Sequence, residues 1–411
     1  MKILYCHDNF YMPSPEGTIY SAGQFQYAYY KPFLEAFDEV EVVGRIEEYA
    51  EDKDITAMNI SSGPHVEFTL LPNINSPKGL IKNYRYVRAE LEKSVKRCDG
   101  VIIRAVSDMG WIVFQLARAM NKPIAMEMAA CAWDSTWNHG SRYAKIYAPV
   151  RYIRDKIITR WSDYVMYVSH EFLPNRYPTN GTTEFASNVR IERSENDVLE
   201  KRLEKIKHCN EAHNPIVIGL IGTLNHKLKG VHDAIEALHL LKKTCNKNFE
   251  FRILGPGNKA PYLDLADKYG VYDLVHFDGI VKSGDKVLEW LDNIDIYIQP
   301  SYQEGVPRAT IEAMSRGAPV IGSTAGGIPE LLPAHWLHKP GDVKQLAILI
   351  QKMAEDPVSQ ISNANRNFEK SFHYSSEVLM PKRLAFWKAF SEFVQRKSGQ
   401  SNVHPFPSKA A

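Results

Sequence analysis

Cysteine is scarce. The five in 411 residues (Cys6, Cys98, Cys131, Cys209 and Cys245) are odd in number and widely spaced, with no CxxC pair. That pattern argues against a disulfide scaffold and a zinc site and fits a reducing cytoplasm. Long apolar runs are missing too: none approaches the roughly 18 residues that a membrane-crossing helix needs. The opening MKILYCHDNFYM has too short an apolar part for a signal peptide and reads as a first strand. Neither sign of charge dominates, with 50 Lys+Arg against 48 Asp+Glu and a net charge of +2, so no overall field draws nucleic acid. No internal repeat occurs, and low complexity is confined to a tail, Lys397 to Ala411, expected to be disordered.

What remains is an ordinary globular composition, 44% hydrophobic and 24% charged, in a chain long enough for two domains of about 200 residues each. A strand-helix rhythm runs through the first part. Strands are expected at Met1 to His7, Glu39 to Val43, Val66 to Leu71, Val101 to Ile103, Ile124 to Met128 and Tyr164 to Ser169, and Phe185 to Val189 reads as a further one. Helices are expected from Gly23 to about Phe37, Leu80 to Arg97, Trp111 to Met120 and Glu171 to Tyr177. Gly17, in the loop after the first strand, would let backbone approach a ligand at a strand's carboxyl end. Ser141 to Trp161 departs from the rhythm: six Lys and Arg face one acid, Asp155, with aromatics interleaved. It suits an anionic membrane surface, a basic wall for an anionic acceptor, or an ordinary amphipathic helix. Ile191 to Asn214 is heavily charged and reads as an exposed linker helix, which puts domain boundaries at 1–190 and 191–374.

The rhythm then restarts. Ile216 to Ile221 is a strand, Gly222 to Gly230 a loop and Val231 to Lys243 a helix. Lys229, just before that helix, sets a mobile charge beside free N–H groups, a combination suited to a diphosphate; the alternative is a solvated lysine. Phe249 to Leu254 leads into Gly255-Pro256-Gly257, and its prolines fit a dinucleotide fingerprint poorly.

The most informative stretch is Ile298 to Leu332, which reads strand, loop, helix, strand, loop. Pro307 sits at a helix start and Gly317 at its end. Glu304 on the loop and Glu312 in the helix are eight positions apart. Glu312 is flanked by Ile311, Ala313 and Met314, and a carboxylate in such surroundings needs donors, which adjacent sugar hydroxyls could supply. Two solvated surface glutamates are the plainer alternative.

Glu304 and Glu312, with Gly305, Gly317, Pro319-Val320, Pro300-Ser301 and Gly326-Gly327 around them, resemble the E-x7-E signature of the retaining glycosyltransferases of family 4. The resemblance implies an α/β GT-B fold: two Rossmann-like parallel-sheet domains facing across a cleft, with a last helix, about Ser375 to Arg396, crossing back to the first domain. It implies a nucleoside-diphosphate-sugar donor in the second domain, an acceptor in the first, and no cofactor or metal. Glu304 and Lys229 would serve catalysis. Glu312, Gly305, Val306, Pro307, Thr223, Lys227, Gly222, Gly255 and Gly17 would line the donor site. Thr223 stands where the family commonly has an arginine, leaving the added charge to Lys227 or Lys229. Asn188 resembles an asparagine that closes the first domain. The acceptor and donor sugar stay open, a lipid-linked acceptor at the inner membrane face being one option. An epimerase or phosphorylase on the same fold, a non-catalytic nucleotide-binding protein and a dehydrogenase are the rival readings.

Overall fold

Ile3, Leu4, Tyr5 and Cys6 are all fully buried, so the first strand is covered on both faces, as a central parallel strand must be. The computed structural model describes every residue except 23–24, 50–54, 56–57, 139–140, 212–213 and 402–411. Its first sheet holds β1 (Lys2–Pro13), β2 (Ile19–Ser21), β3 (Glu39–Ile46), β4 (Asn59–Ile60), β5 (Val66–Leu71), β6 (Gly100–Arg104), β7 (Ile124–Met128), β8 (Tyr164–Tyr167) and β9 (Thr182–Phe185). The parallel strands lie in the order β5-β3-β1-β6-β7-β8-β9, and β2 pairs antiparallel with the far end of β1 and with β4.

Seven helices accompany this sheet in sequence: α1 (Tyr27–Leu34), α2 (Pro77–Arg97), α3 (Asp108–Ala119), α4 (Ala132–Trp137), α5 (Arg142–Trp161), α6 (Phe172–Arg176) and α7 (Asn196–Glu211). Apolar residues of α2, α3 and α5 share one core with Leu4, Cys6, Val101, Ile103 and Met126. Those of α1 share another with the alternate positions Ile3, Tyr5, Val40, Val42 and Ile102. The strand period of two thus sends successive side chains to helices on opposite faces.

The second sheet holds β10 (Ile216–Ile221), β11 (Phe249–Leu254), β12 (Val275–Gly279), β13 (Ile296–Gln299), β14 (Val320–Ser323) and β15 (Leu337–His338), in the order β12-β11-β10-β13-β14-β15, all parallel. Around it lie α8 (Val231–Thr244), α9 (Ala260–Lys268), α10 (Asp285–Asp292), α11 (Arg308–Ser315), α12 (Ile328–Leu331), α13 (Val343–Glu355) and α14 (Pro357–Ser371). Both sheets follow the doubly wound order in which the chain starts centrally, winds to one edge and returns to build the other.

The last helix, α15 (Ser376–Ser401), crosses back to the first sheet. Trp387 packs 4.9 Å from Phe33 of α1, and Tyr164 of β8 lies 5.5 Å from Phe386. Arg383 of α15 is buried. It donates to the Ala186 and Ser187 carbonyls, both at 2.9 Å, to Asn188 Oδ1 at 2.6 Å and to Glu127 Oε1 at 3.2 Å.

Several expectations need correction. The strand expected at 185–189 lies earlier, because the carbonyls of Ala186 and Ser187 serve Arg383 instead of a ladder. The segment expected to be an exposed linker helix contains α7, which packs on α14. Its Arg202 is only 4% exposed and donates to the carbonyls of Leu291, Ile294 and Arg316. Lys397 to Ser401 continue α15, whereas residues 402–411 of the expected disordered tail, and Gly23, expected to open the first helix, lie outside the described residues.

Candidate active site

A crevice opens in a doubly wound sheet where neighbouring strands send their chains in opposite directions. In the second sheet that switch lies between β10 and β13, which pair through Ile218–Ile296 and Gly219–Tyr297. The loop leaving β10 is Gly222 to Gly230, and the loop leaving β13 is Pro300 to Pro307. The two are locked together: the Tyr302 N–H donates to the Leu228 carbonyl at 2.8 Å. Gly230 sits in the left-handed region at φ 70°, and a Cβ there would overlap the Pro300 carbonyl. Both backbone conformation and space therefore require glycine.

Lys229 and Glu304 meet across these loops. The Lys229 stem lies over Gly222, where an added Cβ would fall 2.7 Å from Lys229 Cγ. Lys229 Nζ donates to Glu304 Oε1 at 2.6 Å. The same oxygen accepts from Ser301 Oγ at 2.7 Å and Gln299 Nε2 at 3.1 Å. Gln299 is itself held by the buried Tyr297 hydroxyl, which donates to its Oε1 at 2.8 Å. Glu304 is 7% exposed, so its orientation is set from the core outward. Beneath it, the Gly327 N–H donates to the Gly305 carbonyl at 2.6 Å, and a Cβ on Gly326 would overlap the Glu304 carbonyl.

Glu312 differs. It lies one turn along α11 and is largely enclosed, yet its carboxylate has no hydrogen-bond donor among the described residues. Burial raises its pKa above the usual carboxylate range, and Arg308, one turn earlier, pulls the other way. An enclosed carboxylate open on one side and lacking donors is suited to a ligand that brings hydroxyls.

Helix starts supply further donors. α8 begins directly after Gly230 and α11 directly after Pro307, and the first-turn N–H groups of each have no acceptor within the helix. Pro307 itself is the residue before the helix, with φ −69° and ψ 118°. Gly305 and Val306 complete that loop, and a Cβ on Gly305 would fall 2.6 Å from the Ala129 carbonyl of the first domain. The cleft is thus bounded on both sides.

The remaining expected residues divide. Lys227 is exposed and opens the short turn Lys227–Lys229. Gly255 takes φ 151° against the Gly222 carbonyl, bringing the loop after β11 beside the one after β10. The Thr223 hydroxyl is turned inward: it donates to the Pro256 carbonyl at 3.3 Å and accepts the Asn225 N–H at 3.2 Å. That geometry makes it a brace between loops. Gly17 stands apart in the β1–β2 hairpin turn, at φ 84° with open space around it. Its N–H donates to the Ser14 carbonyl at 3.0 Å.

Sequence reading missed Gln299, and it took Ser301 and Glu330 only as positions of the family motif, with no contact assigned to either. Glu330, just past Gly326-Gly327, accepts backbone N–H groups of the first domain from His170 at 2.6 Å and Phe172 at 2.8 Å. Among the described residues no group of three or more His, Cys, Asp or Glu could hold a metal ion.

The model of a family described as glycosyl transferases group 1 matches residues 215–356, from β10 to the end of α13. Protein CapJ of Staphylococcus aureus is 31% identical over 410 residues, covering 98% of this chain and 100% of CapJ. The amylovoran biosynthesis glycosyltransferase AmsK of Erwinia amylovora is 32% identical over 188 residues, 43% of this chain and 46% of AmsK. Among solved structures, sucrose-phosphate synthase of Thermosynechococcus elongatus aligns over 97% of this chain and 100% of its own. The TM-score is 0.64 at 17% identity, a likeness of fold. With its two facing doubly wound domains and its returning helix, the chain belongs to the group 1 glycosyltransferases and has the GT-B fold.

Proposed function

We propose that this protein moves a sugar from a nucleoside-diphosphate sugar to an acceptor with retention of configuration, in the assembly of a cell-surface polysaccharide. One observation carries the reading. Lys229 and Glu304 meet at 2.6 Å on the two loops of the switch point, and Glu312, without a donor of its own, follows eight residues on.

In this reading the donor diphosphate lies against Lys229 and the N–H groups that begin α8 and α11, and no metal is needed to balance its charge. Glu312 accepts from ribose hydroxyls. Glu304, held by Ser301 and Gln299, orients the donor sugar beside it. The bond from sugar to phosphate breaks as the acceptor oxygen joins the same face of the ring, and the leaving phosphate takes the acceptor's proton. Lys229 and the helix N–H groups stabilise the charge that develops on that phosphate. The acceptor lies on the first domain, whose Ala129 loop faces Gly305. The polysaccharide setting rests on relatives such as AmsK.

The test is a thermal-shift panel of nucleoside-diphosphate sugars. A ligand at 100 times its dissociation constant adds about 2.7 kcal/mol of stability. One nucleotide class should stabilise the wild type, and Glu312→Ala should lose that gain; no stabilisation by any of them would defeat the proposal.

A further inference from the structure

The first domain presents an outer layer of helices whose exposed chemistry has no use within the chain. α2, α3 and α5 lie side by side on one face of the first sheet. On α5, Tyr143, Ile146, Val150, Ile153 and Trp161 are 51%, 77%, 41%, 55% and 52% exposed. Their spacing follows a single helical stripe. On α2, Ile81 is 87% exposed and Tyr86 57%. α3 lies between the two helices, so the patch is the stripe on α5, an apolar exposure that monomeric surfaces seldom carry, with the α2 residues across α3 in the same layer.

Charge frames the patch with one sign. From Pro77 to Ala89 α2 carries Lys78, Lys82, Arg85 and Arg88 and no acid. The only acid of α5, Asp155, is buried at 3% exposure. Arg151 and Arg154 are taken up by Asp108, at 2.9 and 3.7 Å. Arg142, Lys145 and Arg160 have no acid partner among the described residues, although Lys145 and Arg118 lie over the rings of Trp137 and Trp161 at 5.7 and 4.9 Å. With a net charge of only +2 over the chain, this concentration is local.

We infer that the α2–α5 face docks on an anionic lipid surface, its aliphatic stripe entering the headgroup boundary and its lysines and arginines pairing with lipid phosphates. Stems of Lys and Arg lie along apolar surface while their charges reach the headgroups, and tryptophan rings favour that depth. A second copy is a poorer occupant, because a two-fold interface would set this basic patch against itself. Nucleic acid is poorer too, since Ile81, Ile146, Val150 and Ile153, which offer no plane for a base to stack on, take up much of the exposed surface. The inference does not depend on the donor reading, which concerns the other domain.

Co-sedimentation with vesicles of phosphatidylcholine, with and without phosphatidylglycerol, tests it. The full chain should bind the anionic vesicles at least about tenfold better, and added salt should release it. The variant Ile81→Glu/Ile146→Glu/Ile153→Glu touches only exposed positions; it should stay folded and lose vesicle binding with its nucleotide response unchanged. A polarity-sensitive dye on Ile146→Cys should shift to the blue on anionic vesicles. The inference is overturned if the wild type stays in solution, if it binds neutral and anionic vesicles alike, or if the dye is unmoved while the protein is bound. It is equally overturned if light scattering finds a dimer that Ile146→Glu dissolves.

Discussion

The Glu330 carboxylate accepts the Phe172 N–H at 2.8 Å, so an acid of the second domain caps a helix of the first. His170 and Glu171 donate their N–H groups to the same carboxylate at 2.6 and 3.2 Å. Because Glu330 follows the Gly326-Gly327 turn that supports Glu304, the contact between the domains and the shape of the Glu304 loop share one short segment.

Glu330→Ala should therefore act on both stability and closure. Loss of a capping acceptor costs about 1 kcal/mol, to be read from urea denaturation. An enzyme that opens more readily should also hydrolyse donor faster relative to transfer, since closure excludes water. A variant with wild-type stability and wild-type partition between hydrolysis and transfer would remove Glu330 from this role.

Glu127 gives a pH dependence. Burial opposes its ionisation, but Arg104, Arg383 and the Tyr29 hydroxyl hold its pKa down to about 2. A carboxyl whose pKa is lower folded than unfolded stabilises the protein above the unfolded pKa, and that contribution is lost as pH falls toward the folded one. Stability should thus decline between about pH 5 and 2. Glu127→Ala, which strands two buried guanidinium groups, should cost about 3–5 kcal/mol and abolish most of that decline. Equilibrium unfolding at a series of pH values measures both.

Glu312 should show the opposite sign. Its pKa is raised by burial, so the folded protein holds that proton more tightly than the unfolded chain, and this group's contribution to stability falls as pH rises toward the folded pKa. Glu312→Gln should leave the ligand-free protein as stable as wild type or more so near neutral pH, while weakening donor binding by about 1.5–3 kcal/mol, the worth of hydrogen bonds to a charged group. Wild-type donor affinity should fall as pH drops through the Glu312 pKa, and the variant should lack that dependence. Calorimetric titration at several pH values decides it.

Much of this architecture could be read in advance. Parallel strands and their helices follow periodicity, and β5 and β7 lie at the residues expected, because each is a short, largely apolar run that begins just after a proline. The Glu304–Glu312 spacing and the glycines around it marked the loop that leaves β13 and the helix after it. What stayed hidden was nonlocal. A charged sequence made α7 look solvated, yet Arg202 serves carbonyls far along the chain. The bond of the Thr223 hydroxyl to the Pro256 carbonyl, 33 positions on, has no local signal either. Glu330 has no local signal for a helix it caps 158 positions earlier.

In the proposed function Lys229, beside Glu304, meets the diphosphate of an activated sugar. The most direct test is calorimetric binding of a nucleoside diphosphate and of the matching nucleoside to wild type and Lys229→Ala. The variant should bind the diphosphate at least about tenfold more weakly, about 1.4 kcal/mol, while the nucleoside binds both proteins alike. Equal diphosphate affinity for the two proteins, or no nucleotide binding by the wild type, would contradict it.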